Sequence, residues 1–473
     1  MKTQAILIAA VALLLGTEGG LIKPSPGTAG DLLQGLTRPA PNTRKVLPNL
    51  VLSPALAKAL YYAQISLSST IQREAKLINK VPEKELVLDD LHIAIDDDIS
   101  VQLSNLKLLN VPSIDVTSAN ANLEFLNLAL DIDFGTLQVG GNFEVVSKKT
   151  LAEIPVTSSG EFILRNSPFK GTGKVGLSLQ TNFYKTINYD VVYQPTGSYL
   201  TVSYLQDNER IVSALEVQEH QEAKVVAHIN RQLKNVLNRL VQKRLDDILA
   251  GVPVDKLIGE TRTAESYRKH ARRLTAVAND YVDKLLNVAR SYIGDKGLSE
   301  VDIPNIDASF SKKILFVTFH GSFTTRDGHA RNLATLTRTS DITLDYNTGG
   351  VKVFGSVGLT QLELRYNRYE AKFQGIGPSG TVDAKVGSNS IFLKVNVLLA
   401  AEPSITLEDV HIEYVKDINI KVTGLGILDW ILSKIVTWIT GLLNDKIISA
   451  LDSQLQQHIS GILSLVDPTE FFR

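Results

Sequence analysis

The stretch Ile427–Val466, ILDWILSKIVTWITGLLNDKIISALDSQLQQHISGILSLV, decides how the chain is read. Its apolar residues are Leu428, Ile431, Leu432, Ile435, Ile439, Leu442, Leu443, Ile447, Leu451, Leu455, Ile459, Ile462, Leu463 and Val466. Spaced mostly in steps of three and four, they form one face of an amphipathic helix, with Lys434, Asn444, Asp445, Gln456 and Gln457 on the other side. No proline interrupts the run, so a continuous helix here is about 60 Å long at ~1.5 Å per residue. A compact domain of about 200 residues is only ~40 Å across. Its host is therefore elongated, or the helix bends, with Gly441 as the natural place. A membrane span is the competing reading, but Asp429 and Lys434 fall inside the most apolar part, which is shorter than the usual run of about 20 apolar residues. A buried amphipathic helix is the better account.

The same helix occurs twice. Val225, Ile229, Leu233, Leu237, Val241, Leu245, Ile248 and Leu249 form a matching stripe in mid-chain. An offset of 214 residues places every one of them on an apolar residue of the terminal stretch. The same offset of 214 relates Leu128, Leu130, Asp131, Gly135, Leu137, Val139 and Gly141 to Ile342, Leu344, Asp345, Gly349, Val351, Val353 and Gly355. Two unlike segments sharing one offset indicate a duplicated domain.

Around these anchors the rest of the chain takes order. Residues 1–19 read as a secretory signal: Lys2, an apolar run from Ala5 to Leu15, and the small residues Thr17 and Gly19 before cleavage. Residues 20–52 are a Pro- and Gly-rich lead-in. A first domain is expected over 53–258, a basic helical linker over 259–274 and a second domain over 275–473. Ser53 followed by Pro54 is a strong helix start, for a helix reaching about Asn79. Period-two alternation from Leu86 to Leu215 predicts strands, and a helix over about Glu222–Ala250 closes this half. The second half repeats the order, with helix over Thr261–Ile293 and strands that include Ile391, Leu393, Val395, Val397 and Leu399 on one face. No alternating βαβ pattern occurs, so the fold class is α+β, two domains each with a curved antiparallel sheet around a long amphipathic helix.

Composition closes several routes. With 473 residues and a net charge of −1, the chain carries no global field for nucleic acid. It has no cysteine, which excludes a disulfide framework, thiol catalysis and cysteine-ligated metals. Nor does it contain an Asn-x-Ser/Thr sequon. Gly171-Thr-Gly-Lys-Val-Gly176 matches a dinucleotide fingerprint, but Val175, Leu177 and Leu179 continue it as a strand; a turn at a strand start is expected. His320 and His329, nine apart around an expected turn, lack metal-ligand spacing, and Asp96–Asp98 lack the alternation of a calcium loop. No cofactor or metal is expected. Arg268, Lys269, Arg272 and Arg273 form a basic cluster, read either as a solvated helix face or as a transient contact with a membrane surface. Trp430 and Trp438 lie close to one helical face and suit a cavity, an interface or the core.

Element order, the two long helices and stretches such as Ile342–Gly355 resemble the tubular lipid-binding (TULIP) superfamily over about Ser53–Leu465. Each half is similar to mite group-seven allergens and to takeout and juvenile-hormone-binding proteins. The two-domain length resembles the bactericidal/permeability-increasing and lipid-transfer proteins. The missing cysteines depart from the takeout-like pattern and favour the allergen-like branch, while the near-zero charge weakens an endotoxin-binding role. The resemblance implies an apolar tunnel in each domain for a fatty acid, terpenoid, carotenoid or other lipid, and a secreted, non-enzymatic carrier. Burying such a chain stabilises by about 0.8 kcal/mol per methylene without directed polar groups. Candidate lining residues are Ile431, Ile435, Leu442, Phe319, Val353, Val395 and Val397 in the second half, with Ile229, Leu233 and Leu237 in the first. The alternative is a secreted surface-active or structural protein whose domains are filled by their own side chains.

Overall fold

A computed structural model describes residues 52–424, with short interruptions such as 78–85, 217–220 and 399–403. The signal segment, the lead-in, Asp96–Asp98 and the terminal helix with Ile431, Ile435, Leu442, Trp430 and Trp438 lie outside the described residues. These residues fall into two compact units, Leu52–Lys269 and a second that begins at His270. Among the described residues no helix is long and apolar enough to cross a membrane.

The first unit opens with helix α1, Pro54–Leu77. Ser53 caps it: its hydroxyl oxygen accepts from the Leu56 N–H at 3.3 Å, satisfying one of the otherwise orphaned first-turn donors. Ten strands follow: β1 Leu91–Ala94, β2 Ile99–Leu108, β3 Asp115–Asn122, β4 Asn127–Asp133, β5 Leu137–Leu151, β6 Ile154–Asn166, β7 Phe169–Leu179, β8 Tyr184–Pro195, β9 Ser198–Gln206 and β10 Glu209–Glu216. They make two antiparallel sheets, ordered β1-β2-β5-β6-β9-β10 and β3-β4-β7-β8. Helix α2, Gln221–Ala250, is one residue longer than its pattern predicts, and the short helix α3, Val254–Ile258, follows Pro253. Helix α4, Thr261–Asp295, is continuous through the expected linker. Ala264 and Tyr267 are fully buried, and the Tyr267 hydroxyl both accepts from Tyr184 at 2.8 Å and donates to the Leu123 carbonyl at 3.1 Å. Burial pushes both phenols well above their ordinary range, so they stay neutral.

The second unit carries β11 Glu300–Ile303, β12 Asp307–Ile314, β13 Val317–Arg331, β14 Leu336–Arg338, β15 Thr343–Asn347, β16 Gly350–Leu359, β17 Glu363–Phe373, β18 Ser379–Leu398 and β19 Ser404–Val422 in one antiparallel sheet. Alternation sorts its two faces. Ala330, Leu364 and Ala384 stand in register and are 0–5% exposed. One residue along each strand, Arg331, Glu363 and Lys385 continue a ladder from Glu300, with ion pairs at 3.0 Å for Arg331–Glu300 and 2.7 Å for Lys385–Glu363. Such exposed pairs contribute little stability but mark the wet side.

Three sequence expectations change here. Gly171–Gly176 is not a turn; it lies inside β7. His320 and His329 sit on one uninterrupted strand, β13, where the His329 ring nitrogen meets Asp302 at 2.9 Å. The segments related by the offset of 214 pair differently: β15 and β16 form a hairpin with each other, whereas β4 pairs β3 and β7 while β5 pairs β2 and β6.

Candidate functional site

In the first unit the candidate site is the apolar seam under α2. Ile229, Leu233 and Leu237, spaced four apart, are fully buried, and Val241, Leu245 and Leu249 extend the same row. At the helix start the structure buries Val226 (5% exposed) and leaves Val225 half-buried. The helix packs on β8, α1 and β1. Each fully enclosed Leu or Ile contributes about 1.5–3 kcal/mol of transfer free energy.

Polar side chains along the flanks of α2 hold that seam in place. Near its start Lys224 Nζ donates to the Ile95 carbonyl at 2.8 Å, and Gln232 Oε1 accepts from the Asp89 N–H at 3.0 Å. In the middle, Asn230 Oδ1 accepts from Asn166 Nδ2 at 2.9 Å, while Asn166 Oδ1 accepts from the Ser198 hydroxyl at 2.7 Å. Asn238 Oδ1 accepts from the Tyr193 hydroxyl at 2.6 Å. Towards the end, Asp246 Oδ1 accepts from both the N–H and the hydroxyl of Thr186, at 2.8 and 2.7 Å, and Arg244 Nη2 donates to the Ala75 carbonyl at 2.8 Å. Sequence reasoning missed these tethers. The only signal was a set of hydrogen-bonding residues flanking the stripe, and their partners lie 60 or more residues away in several cases.

The glycine motif belongs to this seam as well. Gly171 stands opposite Tyr193, and a Cβ there would come within 3.0 Å of the ring. A Cβ on Gly173 would lie 2.0 Å from the Asp190 carbonyl. The glycines let β8 approach and seat Tyr193 against Phe134 and Phe169, with ring centroids 5.7 and 6.4 Å away. They cradle an aromatic ring, not a phosphate.

In the second unit the candidate lining residues lie on adjacent strands. Val351 pairs Val397 and Val353 pairs Val395 across β16 and β18. Val351 and Val397 are fully buried, but Val353 and Val395 are only half-buried. Phe319 lies on β13 opposite Lys312, and its side chain is outside the described residues. On the other face of these strands Phe354 and Phe392 pack at 6.2 Å, beside a compact charge cluster. Glu408 there binds Lys352 at 2.8 Å and Lys394 at 2.9 Å. Partial burial works against its carboxylate, but the two ammonium groups outweigh that and hold its pKa below the ordinary glutamate value.

The basic cluster is not a free patch. Arg268 is tied by a short ion pair to Asp255 and by a 2.9 Å hydrogen bond to Asn182, whereas Lys269, Arg272 and Arg273 are exposed. No group of three or more His, Asp or Glu with metal-binding geometry occurs among the described residues.

Residues 277–463 match the Group 7 allergen family. This group 7 match starts within α4, takes in all of β11–β19 and continues beyond the described residues, so it falls in the second unit. Among solved structures, the chain is similar to Epiphyas postvittana Takeout 1 at 14% identity, covering 44% of this chain and 90% of that one with a TM-score of 0.21. It is also similar to lipopolysaccharide binding protein at 9% identity, covering 85% and 90% with a TM-score of 0.16. No curated protein sequence matches the chain. The described residues thus form an α+β architecture of antiparallel sheets and long helices, and the similarity to the Group 7 allergen family covers residues 277–463.

Proposed function

We propose that the protein is a secreted, non-enzymatic carrier of hydrophobic ligands, with its pocket in the second unit. The observation that supports this most is the change along one sheet face, from the enclosed pair Val351/Val397 to the half-buried pair Val353/Val395. An all-valine wall that the protein covers only partly suits an acyl or terpenoid chain, which needs apolar contact and few polar partners. Phe319, Ile431, Ile435 and Leu442 complete the proposed lining. Secretion through the 1–19 signal and reversible transport belong to the same reading.

In the first unit the complete burial of Ile229, Leu233 and Leu237 favours the second reading, a domain filled by its own side chains. The two units then divide the work, one as scaffold and one as carrier. The test is mass spectrometry of organic extracts of the purified chain, followed by displacement of a fluorescent fatty acid. A co-purified lipid that is lost from a Val395→Trp variant supports the reading. A chain that carries no extractable lipid and binds no fatty-acid or retinoid probe refutes it.

A further inference from the structure

Over its first three turns helix α1 buries an apolar row and also exposes large apolar side chains on its outer side. Its inner row, Leu56, Leu60, Ala63, Leu67, Ile71 and Ala75, is 0–6% exposed, and the helix packs on β3. Its outer row carries Tyr61 and Tyr62, each 61% exposed with their rings edge-to-face at 5.5 Å, and Ile65, 50% exposed. Lys58 lies one turn earlier on the same side, so positions 58, 61/62 and 65 form one outward stripe at helical spacing. From Pro54 to Arg73 the helix contains no acidic residue; Glu74, its one carboxylate, is engaged by Arg73 at 3.1 Å. The solvent side of a helix in a globular protein ordinarily carries charged residues of both signs. Here it carries Tyr61, Tyr62 and Ile65, then Ser66 and Ser69, with Lys58, Arg73 and Lys76.

We infer that this face of α1 docks onto an anionic lipid bilayer surface. Tyrosine suits that boundary, because its ring enters the headgroup layer while its hydroxyl stays hydrated. With Arg73 paired to Glu74, Lys58 and Lys76 are the helix's excess positive charge; they match an anionic surface, and a few apolar side chains plus basic charge give reversible attachment. A second copy of the chain is the poorer occupant. Three side chains fall far short of the ~800 Å² per partner that a stable interface needs. This contact stands independently of the carrier reading and lies on α1, whereas in the basic cluster of α4 Arg268 is engaged by Asp255 and Asn182.

The experiment is co-sedimentation of the full chain with phosphatidylserine/phosphatidylcholine vesicles and with pure phosphatidylcholine vesicles, at low and physiological salt. The parent chain is expected to bind the anionic vesicles and to release as salt rises. Combined Tyr61→Ser, Tyr62→Ser and Ile65→Ser should weaken binding at least tenfold with an unchanged circular-dichroism melt. Lys58→Glu, a single exposed change, should weaken it severalfold by itself. Unaltered vesicle binding by both variants overturns the proposal, as does equal binding to neutral vesicles. Sedimentation velocity that shows a dimer abolished by the triple change, without vesicle binding, assigns the face to a second copy and also overturns it.

Discussion

Thr186 and Asp246 show how single residues hold the long helix to its sheet. Two donors of one threonine end on one carboxylate oxygen at 2.8 and 2.7 Å, and the Tyr189 hydroxyl in turn donates to the threonine oxygen at 2.7 Å. Asp246→Ala strands both donors in a half-buried site. It is expected to cost about 1–3 kcal/mol, read as a lower urea midpoint with unchanged slope. Glu408 makes a pH prediction of definite sign. Burial, the largest single influence, raises its folded-state pKa, but Lys352 and Lys394 together outweigh it and leave the value depressed. The stability it contributes is therefore fully present above the ordinary glutamate pKa and is lost as pH falls through the depressed folded value. A melting-temperature profile of the parent chain should drop over that acid window. Glu408→Gln should start lower at neutral pH and show a shallower drop; identical profiles would remove Glu408 from the account.

At the scale of the element, β18 offers a direct comparison. Val397 is fully enclosed, so Val397→Trp overpacks a tight site and should cost about 1–3 kcal/mol. Val395, half-buried on the same face, should accept Trp with a smaller loss of stability but a clear loss of fatty-acid binding. If Val395→Trp instead lowers the melting temperature as much as Val397→Trp and leaves ligand affinity intact, this face is core and not a pocket wall. Helix ends were the most legible elements. Ser53, Pro54 and the apolar spacing locate α1 and α2 to within a few residues, because caps and stripes are local physics. Strand pairing was not legible. The two segments offset by 214 residues look alike, yet β15 turns back on β16 while β4 and β5 part into different sheets, with Gly135 between them at a φ of +69°. A short strand carries no record of its neighbour, which is set by what else competes for its edges.

For the whole molecule, the helical stretch after Ile258 has consequences for any attempt to separate the halves. Ala264 and Tyr267 are buried in the first unit, and Tyr267 holds Tyr184 and the Leu123 carbonyl. A fragment spanning 52–269 is expected to unfold in one cooperative transition. A fragment spanning 53–258 should melt several degrees lower, since it leaves the Tyr184 hydroxyl and the Leu123 carbonyl without that partner. Equal melting temperatures would show that Tyr267 adds nothing to the first unit.

The sequence by itself determined the α+β class, the spans of α1 and α2 and the absence of cysteine chemistry, since each follows from periodicity, capping or composition. Only the tertiary structure decided that a glycine motif seats Tyr193, that α2 is fastened by Asn230, Asn238 and Asp246, and that Arg268 is held by Asp255. Only the tertiary structure separated the enclosed Val397 from the half-buried Val395, two residues apart on one alternating face. The physical reason is the same in each case. Local pattern records which way a side chain points, but burial and hydrogen bonding depend on what the rest of the chain brings opposite it.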